Sequence, residues 1–374
     1  MSAEAVRAAL CLCGGGITGA LYELGAIAAL DQLFDRRTDT PFSMNDFDVY
    51  VGTSAGAFLA TVLASGIRAP RMLRSVLDDD PRVFPLRRTD VYRSDLRQLL
   101  GVAKDVVGFA MGLLWNAGKG TLQISDIITQ LSDLLPAGIF SLRHYEQFLT
   151  NFLVHHGLPQ SFANLQRELY ITANDLDSGH RAIFGKGALA SAPIAKAICA
   201  SSAIPLFFEP VRWDGRDYID GAVGKVAHAD IALERGCRLL VVVNPLVPYR
   251  NEPYREDLPT MLFGARHIRH KGMLAVYQQA AKMSTRTKLH QGLRRYRSAY
   301  PDADLLLLEP SEEDGDMFMH NPMSMEYRRQ LVRYGYESAR RTLIADGDRW
   351  RSAFLRRGID VDPERIRPFR EAMR

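Results

Sequence analysis

Short all-apolar runs alternate along this chain with stretches in which apolar positions recur every three or four residues. Residues 8–13 (AALCLC) are such a run, stopped by Gly14-Gly15-Gly16, and predict a buried strand. From 20 to 34, Leu21, Leu24, Ile27, Ala28 and Leu30 fall at helical spacing. Residues 47–51 predict a second strand and 55–63 (AGAFLATVL) a buried helix, with Gly52-Thr53-Ser54 between them. Strand, glycine loop, helix is how an α/β unit opens.

The pattern changes over 68–160. Arg/Asp-rich turns surround an apolar segment at 106–115, followed by a Gly/Asn/Lys loop and weak helical spacing. This stretch reads as an insertion or cap within a domain spanning 8–230. Strand pattern resumes at 168–172, with a pairing partner at 181–184. A short helix over 193–200 has Pro in its first turn. Asp214-Gly215 between strand-like flanks in 211–219 predicts a hairpin. Residues 239–243 (LLVVV) and 304–308 predict further buried parallel strands, with a long helix over roughly 265–298 between them. A mostly helical tail over 322–357 takes Asn321-Pro322 as cap and first turn. The whole predicts an α/β fold: a three-layer α/β/α sheet with a helical insertion. Residues 231–374 complete the sheet and add a helical C-terminal extension.

The length of 374 residues with 47% hydrophobic and 24% charged residues excludes a disordered, collagen-like or disulfide-scaffold chain. A formal charge of +4 is too mild to imply nucleic acid. Cys11, Cys13, Cys199 and Cys237 show no C-x-x-C pair and no zinc spacing, so they read as reduced core thiols. The apolar run at 106–115 is ten residues, far short of a membrane span. The N-terminus carries no secretory pattern. Those features predict a cytoplasmic protein, with peripheral membrane contact left open.

Three segments carry candidate chemistry. Gly52-Thr53-Ser54-Ala55-Gly56 is G-x-S-x-G between a strand and a helix. A nucleophilic serine must project from a strained strand-to-helix turn, and only small neighbours permit that turn. The Ala55 amide, at the helix start, favours a developing oxyanion. Gly14-Gly15-Gly16-Ile17-Thr18-Gly19 fits G-x-G-x-x-G, a dinucleotide fingerprint. That use requires a carboxylate at the end of a second strand; Asp31, Asp35 and Asp48 do not stand there. Glycine amides at a helix N-terminus serve equally as an oxyanion hole. Asp220-Gly221-Ala222 follows a strand-like segment amid small residues, where a carboxylate could accept the Ser54 proton. Nine histidines have no motif around them and read as surface or structural residues. With none as base, Asp would act directly, and a carboxylate near pKa 4 suits a serine hydroxyl poorly.

These elements, in this order, resemble the patatin-like phospholipases: a glycine-rich oxyanion loop, then G-x-S-x-G, then Asp-Gly-Ala. Residues 200–210 (ASSAIPLFFEP) and 172–175 (TAND) with Ser178-Gly179 are similar to family segments as well. The resemblance covers about 8–230. It implies a Ser-Asp dyad without histidine, with Ser54 as nucleophile and Asp220 as base. It implies an oxyanion hole from the amides of Gly14, Gly15, Gly16 and Ala55, with Gly19, Gly52, Gly56 and Gly221 as supporting positions. No cofactor or metal is implied, and the substrates are acyl esters of glycerolipids. The family usually carries Arg or Lys where this chain has Thr18, so a positive charge near the oxyanion is missing.

Residues 266–297 hold nine Lys/Arg and no acid, interrupted by Met273, Leu274, Val276 and Tyr277. A basic amphipathic helix can hold anionic lipid; Glu312 and Glu313 are the acids that could neutralise it instead. The segment 106–115 reads equally as a lid or as a core helix of the cap. Rival readings are a His-dependent α/β-hydrolase esterase or thioesterase, with His320 beside Asp302 or Asp304, and a catalytically silent lipid-binding protein.

Overall fold

The computed structural model describes residues 7–34, 42–78, 137–252, 266–314 and 327–372. The predicted 106–115 segment, His320 and the Asn321-Pro322 cap lie outside them. The main sheet has eight strands. They are β1 (Ala8–Leu12), β2 (Val49–Thr53), β4 (Glu168–Asp175), β5 (Arg181–Phe184), β7 (Val211–Trp213), β8 (Arg216–Asp220), β9 (Leu239–Val243) and β10 (Asp304–Leu308). The order is β10-β9-β1-β2-β4-β8-β7, with β5 also on β4. A separate two-stranded sheet pairs β3 (Gly138–Phe140) with β6 (Leu206–Phe208). The strands β10, β9, β1, β2 and β4 run parallel. They are buried on both faces, which is why they read as unbroken apolar runs.

Alternation along these strands divides the core in two. Leu10, Leu12, Leu239, Val241 and Val243 face one cluster; Ala9, Cys11, Leu240 and Val242 face the other. The first layer holds α1 (Gly16–Asp31), α2 (Ala55–Ala64), α3 (Ala69–Leu77), α4 (Arg143–His155), α5 (Ile194–Ser201), α8 (Arg328–Ala345), α9 (Gly347–Leu355) and the terminal α10 (Phe369–Ala372). The second holds α6 (Ala229–Glu234) and α7 (Met273–Ala299). The chain is therefore the three-layer α/β/α fold that its pattern predicts.

Strand β2 lies at Val49–Thr53 rather than 47–51, and two helix starts also differ from expectation. Helix α1 begins at Gly16 rather than Ala20, because the glycine loop turns directly into it. Helix α7 begins at Met273 after a short 3-10 turn at Ile268–Lys271, with Gly272 at φ 88° between them. A Gly at left-handed φ is a helix boundary, so the long helix does not reach back to 265. The hairpin turn is as predicted: Asp214 (φ 48°) and Gly215 (φ 76°) are both left-handed, the pattern of a two-residue I′ turn.

Strand β4 positions the site. Its residues Ile171–Asn174 pair with β5 on one edge. The other edge is shared: Glu168–Thr172 take parallel β2, and Ala173–Asp175 take antiparallel β8. Both strands run toward the same level, so β2 ends opposite Thr172 and β8 ends opposite Ala173. Residues 54 and 220, distant in sequence, meet there.

Helices α1 and α8 cross in near backbone contact. A Cβ added at Gly25 would lie 2.1 Å from the Val332 carbonyl oxygen, and one at Gly335 would lie 2.3 Å from that of Tyr22. Overpacking so rigid a contact costs about 1–3 kcal/mol. Gly335→Ala is expected to lower the unfolding free energy by that amount in urea titration, with the m-value unchanged.

Candidate active site

Ser54 stands between β2 and α2 with φ 54° and ψ −132°, 2% exposed. A non-glycine residue held there costs about 1–3 kcal/mol, and the surroundings enforce it. A Cβ at Gly52 would sit 2.5 Å from the Ala57 Cα, and one at Gly56 2.8 Å from the Leu12 oxygen. The Ser54 amide donates to Ser201 Oγ at 2.7 Å, and that hydroxyl donates to the Thr172 carbonyl at 2.6 Å. Thr53 Oγ1 and Thr172 Oγ1 share a 2.8 Å hydrogen bond. The turn is thus tied on both sides to β4 and α5.

The Ser54 side chain stands by the Asp220 carboxylate and favours its charged form. Asp220 is held by its whole backbone: its amide donates to the Ala203 carbonyl at 3.0 Å, and its carbonyl accepts from Asn174 Nδ2 at 2.8 Å. Its Oδ1 accepts the Ala222 amide at 2.8 Å. Gly221 is required because a Cβ there would lie 2.3 Å from the Thr172 oxygen. Burial pushes the Asp220 carboxyl up to about 6, against Ser54 and the Ala222 amide, which lower it. The mismatch posed by a carboxylate near pKa 4 is therefore narrowed by about 2 units.

The glycine loop abuts this pair. Gly14, Gly15 and Gly16 have φ 74°, 118° and 69°, three left-handed residues in a row that side chains would resist. A Cβ at Gly14 would lie 2.9 Å from the Ser54 Cβ, and one at Gly19 2.5 Å from the Gly14 oxygen. Gly16 and Ala55 open α1 and α2, and first-turn amides have no acceptor inside their helix. Among the described residues no hydrogen bond engages the amides of Gly15, Gly16 or Ala55. Gly14 is different: its amide donates to Glu23 Oε1 at 2.8 Å. Gly14 is thereby removed from the expected set of oxyanion donors; what it supplies is the close approach to Ser54.

Several residues here had no motif of their own. Glu23 is buried in α1, and desolvation pushes its pKa to about 8. Ser201 and Asn174 lie in the segments 200–210 and 172–175, and the structure gives those segments their task of fixing Ser54 and Asp220. His228, fully buried at φ 43°, has Nε2 3.4 Å from the Gly221 carbonyl and Nδ1 3.2 Å from Arg181 Nη1. Burial and the Arg181 charge hold its pKa at about 3, so it stays neutral behind the Asp220 turn. The carboxylates offered to His320 are elsewhere. Asp304 starts β10 level with Ala8 and Leu239, at the opposite end of the sheet from Ser54. It pairs with Arg356 and Arg357, and Asp302 pairs with Arg238.

An apolar hollow opens one turn beyond the serine and the glycine loop. Leu21 and Leu24 of α1, Phe58 and Val62 of α2, Met72 of α3 and Phe152 of α4 line it.

The fold is α/β, and it sets Ser54 and a buried carboxylate together at the carboxyl ends of parallel strands, beside helix-start amides. The chain belongs to the patatin-like phospholipase family, whose sequence profile matches residues 10–233; members of that family are lipid acyl hydrolases. Two solved structures are similar. VipD from Legionella pneumophila is 17% identical at a TM-score of 0.39, over 92% of this chain and 68% of VipD. The type III effector protein ExoU is 14% identical at a TM-score of 0.35, over 96% of this chain and 54% of ExoU. No curated protein matches the chain in sequence.

A raised carboxyl pKa is a stability cost. The cost is absent below about pH 4, where Asp220 is protonated folded or unfolded, and complete above about pH 6. Asp220→Asn is therefore expected to unfold at higher urea than the wild type at pH 7, by on the order of 3 kcal/mol. The difference should vanish at pH 4.

Proposed function

We propose that this protein hydrolyses fatty acyl esters of glycerolipids, as a phospholipase A or lysophospholipase, through Ser54 and Asp220. The observation that carries the reading is the Ser54 side chain by the buried Asp220 carboxylate, with the pKa of that carboxyl at about 6. Asp220 takes the Ser54 proton as Oγ attacks the ester carbonyl. The amides of Gly15, Gly16 and Ala55 stabilise the tetrahedral oxyanion, the largest contribution available to such a site. Asp220 returns the proton to the departing lysolipid or glyceryl oxygen. Water, deprotonated by Asp220, then attacks the acyl-Ser54 ester; the Ser54 Oγ leaves, takes that proton back from Asp220, and the fatty acid is released. The positive charge missing at Thr18 leaves the backbone amides as the main electrostatic support, and His228 is too far committed to Gly221 and Arg181 to act as base. The acyl chain lies in the apolar hollow between α1, α2, α3 and α4. Because such substrates reside in bilayers, the enzyme works in peripheral contact with a membrane surface.

Fatty acid release from mixed phosphatidylcholine and phosphatidylglycerol vesicles tests this directly. Wild type releases acid, while Ser54→Ala and Asp220→Asn, folded normally, lose at least about three orders of magnitude. Release by both variants at wild-type rates would refute the dyad, and silence of the wild type would refute the substrate class. On a soluble short-chain ester, kcat/KM should climb about tenfold per pH unit up to about pH 6 and level off above it. Met72→Trp, which fills the hollow, should shift the preference toward shorter acyl chains in the same assay.

A further inference from the structure

Helix α7 runs antiparallel to β10 and outlasts it. Arg297 Nη2 donates to the Leu305 carbonyl at 3.3 Å, while Arg286 Nη2 meets Glu309 Oε1 at 2.8 Å and His290 Nε2 lies 3.2 Å from the same oxygen. Residues 297 to 286 thus follow β10 up to its carboxyl end, the end of the sheet that carries Ser54. The 13 residues from Arg286 back to Met273 extend about 20 Å past that rim at 1.5 Å per residue.

Within α7, the side chains buried in the core are Thr285, Leu289 and Leu293, all in the lower half. The overhanging half turns apolar residues to solvent. Met273 (88% exposed), Val276, Tyr277, Ala280 and Met283 (56%) follow i, i+3, i+4, i+7 spacing on one face, with Leu274 beside them. An exposed apolar stripe of this kind marks an interaction surface. Arg266 and Arg269 stand exposed at its tip, with Lys271 half-buried, and no acid occurs from 266 to 301. Of the acids expected to neutralise this stretch, Glu312 takes Arg286 on α7 itself and Glu313 takes Arg250. The overhang is also fastened to the wall of the glycine loop. Gln279 Oε1 accepts the Tyr249 amide at 3.1 Å and its Nε2 donates to the Tyr249 carbonyl at 2.7 Å. Three residues before Tyr249, Leu246 lies against Gly15.

We infer that the overhanging half of α7 is the surface by which this protein seats itself on an anionic bilayer, with Met273, Val276, Tyr277 and Met283 entering the acyl boundary and Arg266 and Arg269 on the headgroups. The charge decides the occupant. A stripe with exposed cations at its tip and no acid in its own sequence from 266 to 301 fits a sheet of lipid phosphates, whereas a second copy of the same basic surface would be repelled. Through Gln279, Tyr249 and Leu246 the docked helix sets the height of the glycine loop over the membrane. The inference rests on the reading of Ser54 as the reacting centre, but its test does not require turnover.

The test is co-sedimentation of the full chain with phosphatidylglycerol/phosphatidylcholine and with pure phosphatidylcholine vesicles, at low and high salt. Wild type, Met273→Ser/Tyr277→Ser/Met283→Ser and Arg266→Glu/Arg269→Glu are compared, each also assayed on a soluble short-chain ester. Wild type is expected to pellet with anionic vesicles at low salt. Each variant should bind at least about tenfold more weakly, at roughly fivefold per lost charge or anchoring side chain. Their hydrolysis of the soluble ester should stay at the wild-type rate. Equal binding to neutral vesicles, wild-type binding by both variants, or a salt-stable dimer that the serine variant dissociates would overturn the proposal. A wild type that pellets yet cleaves no ester would refute the hydrolase reading and leave this surface standing.

Discussion

One edge of β4 determines everything at the site. It accepts a parallel strand along Glu168–Thr172 and an antiparallel strand along Ala173–Asp175, and the ends of the two meet head to head. Ser54 leaves the first strand and Asp220 ends the second. Their juxtaposition therefore needs no flexible loop on either side. Ser201 ties the serine turn to β4, and Asn174 ties the aspartate to the same strand. Loss of either register would separate the pair by at least the 3.3 Å rise of a strand residue.

Burial supplies the second constraint. The packing that forces Ser54 into a left-handed turn also strips water from Asp220. An ordinary carboxylate would be too weak a base for a serine hydroxyl; desolvation lifts it toward neutrality while the serine and the Ala222 amide keep it anionic at working pH. The fold stores both a strained backbone and a costly charge at one place. Such concentrations of cost are expected where a scaffold is arranged for chemistry rather than for stability. The extensive core on both faces of the sheet offsets them.

Much of this was legible in the sequence. The apolar runs 8–13, 239–243 and 304–308 are strands because strands buried on both faces need continuous apolar residues, and Asp214-Gly215 is a turn for conformational reasons. The three glycine-rich segments announced themselves because small residues are the only ones the close approaches tolerate. What was hidden depends on registers between distant segments. Gly14 has the sequence pattern of an oxyanion donor, but its amide is held by Glu23, a contact made across the first turns of α1. His228 is a histidine without a motif because its partners, Gly221 and Arg181, are brought to it by β5 and the Asp220 turn. Helix α7 starts later than its sequence pattern because a basic stretch with scattered apolar residues carries helical spacing across Gly272, and spacing alone does not register a left-handed glycine.

In the proposed reaction Ser54 becomes covalently acylated with Asp220 as its base. The most direct measurement is mass-spectrometric mapping of the adduct formed by an alkyl fluorophosphonate with wild type, Asp220→Asn and His228→Asn. The expected result is a single adduct on Ser54 in the wild type, formed at least about a hundredfold more slowly in Asp220→Asn and at a near-normal rate in folded His228→Asn. An adduct on another residue, or labelling of Ser54 that ignores Asp220 and requires His228, would contradict it.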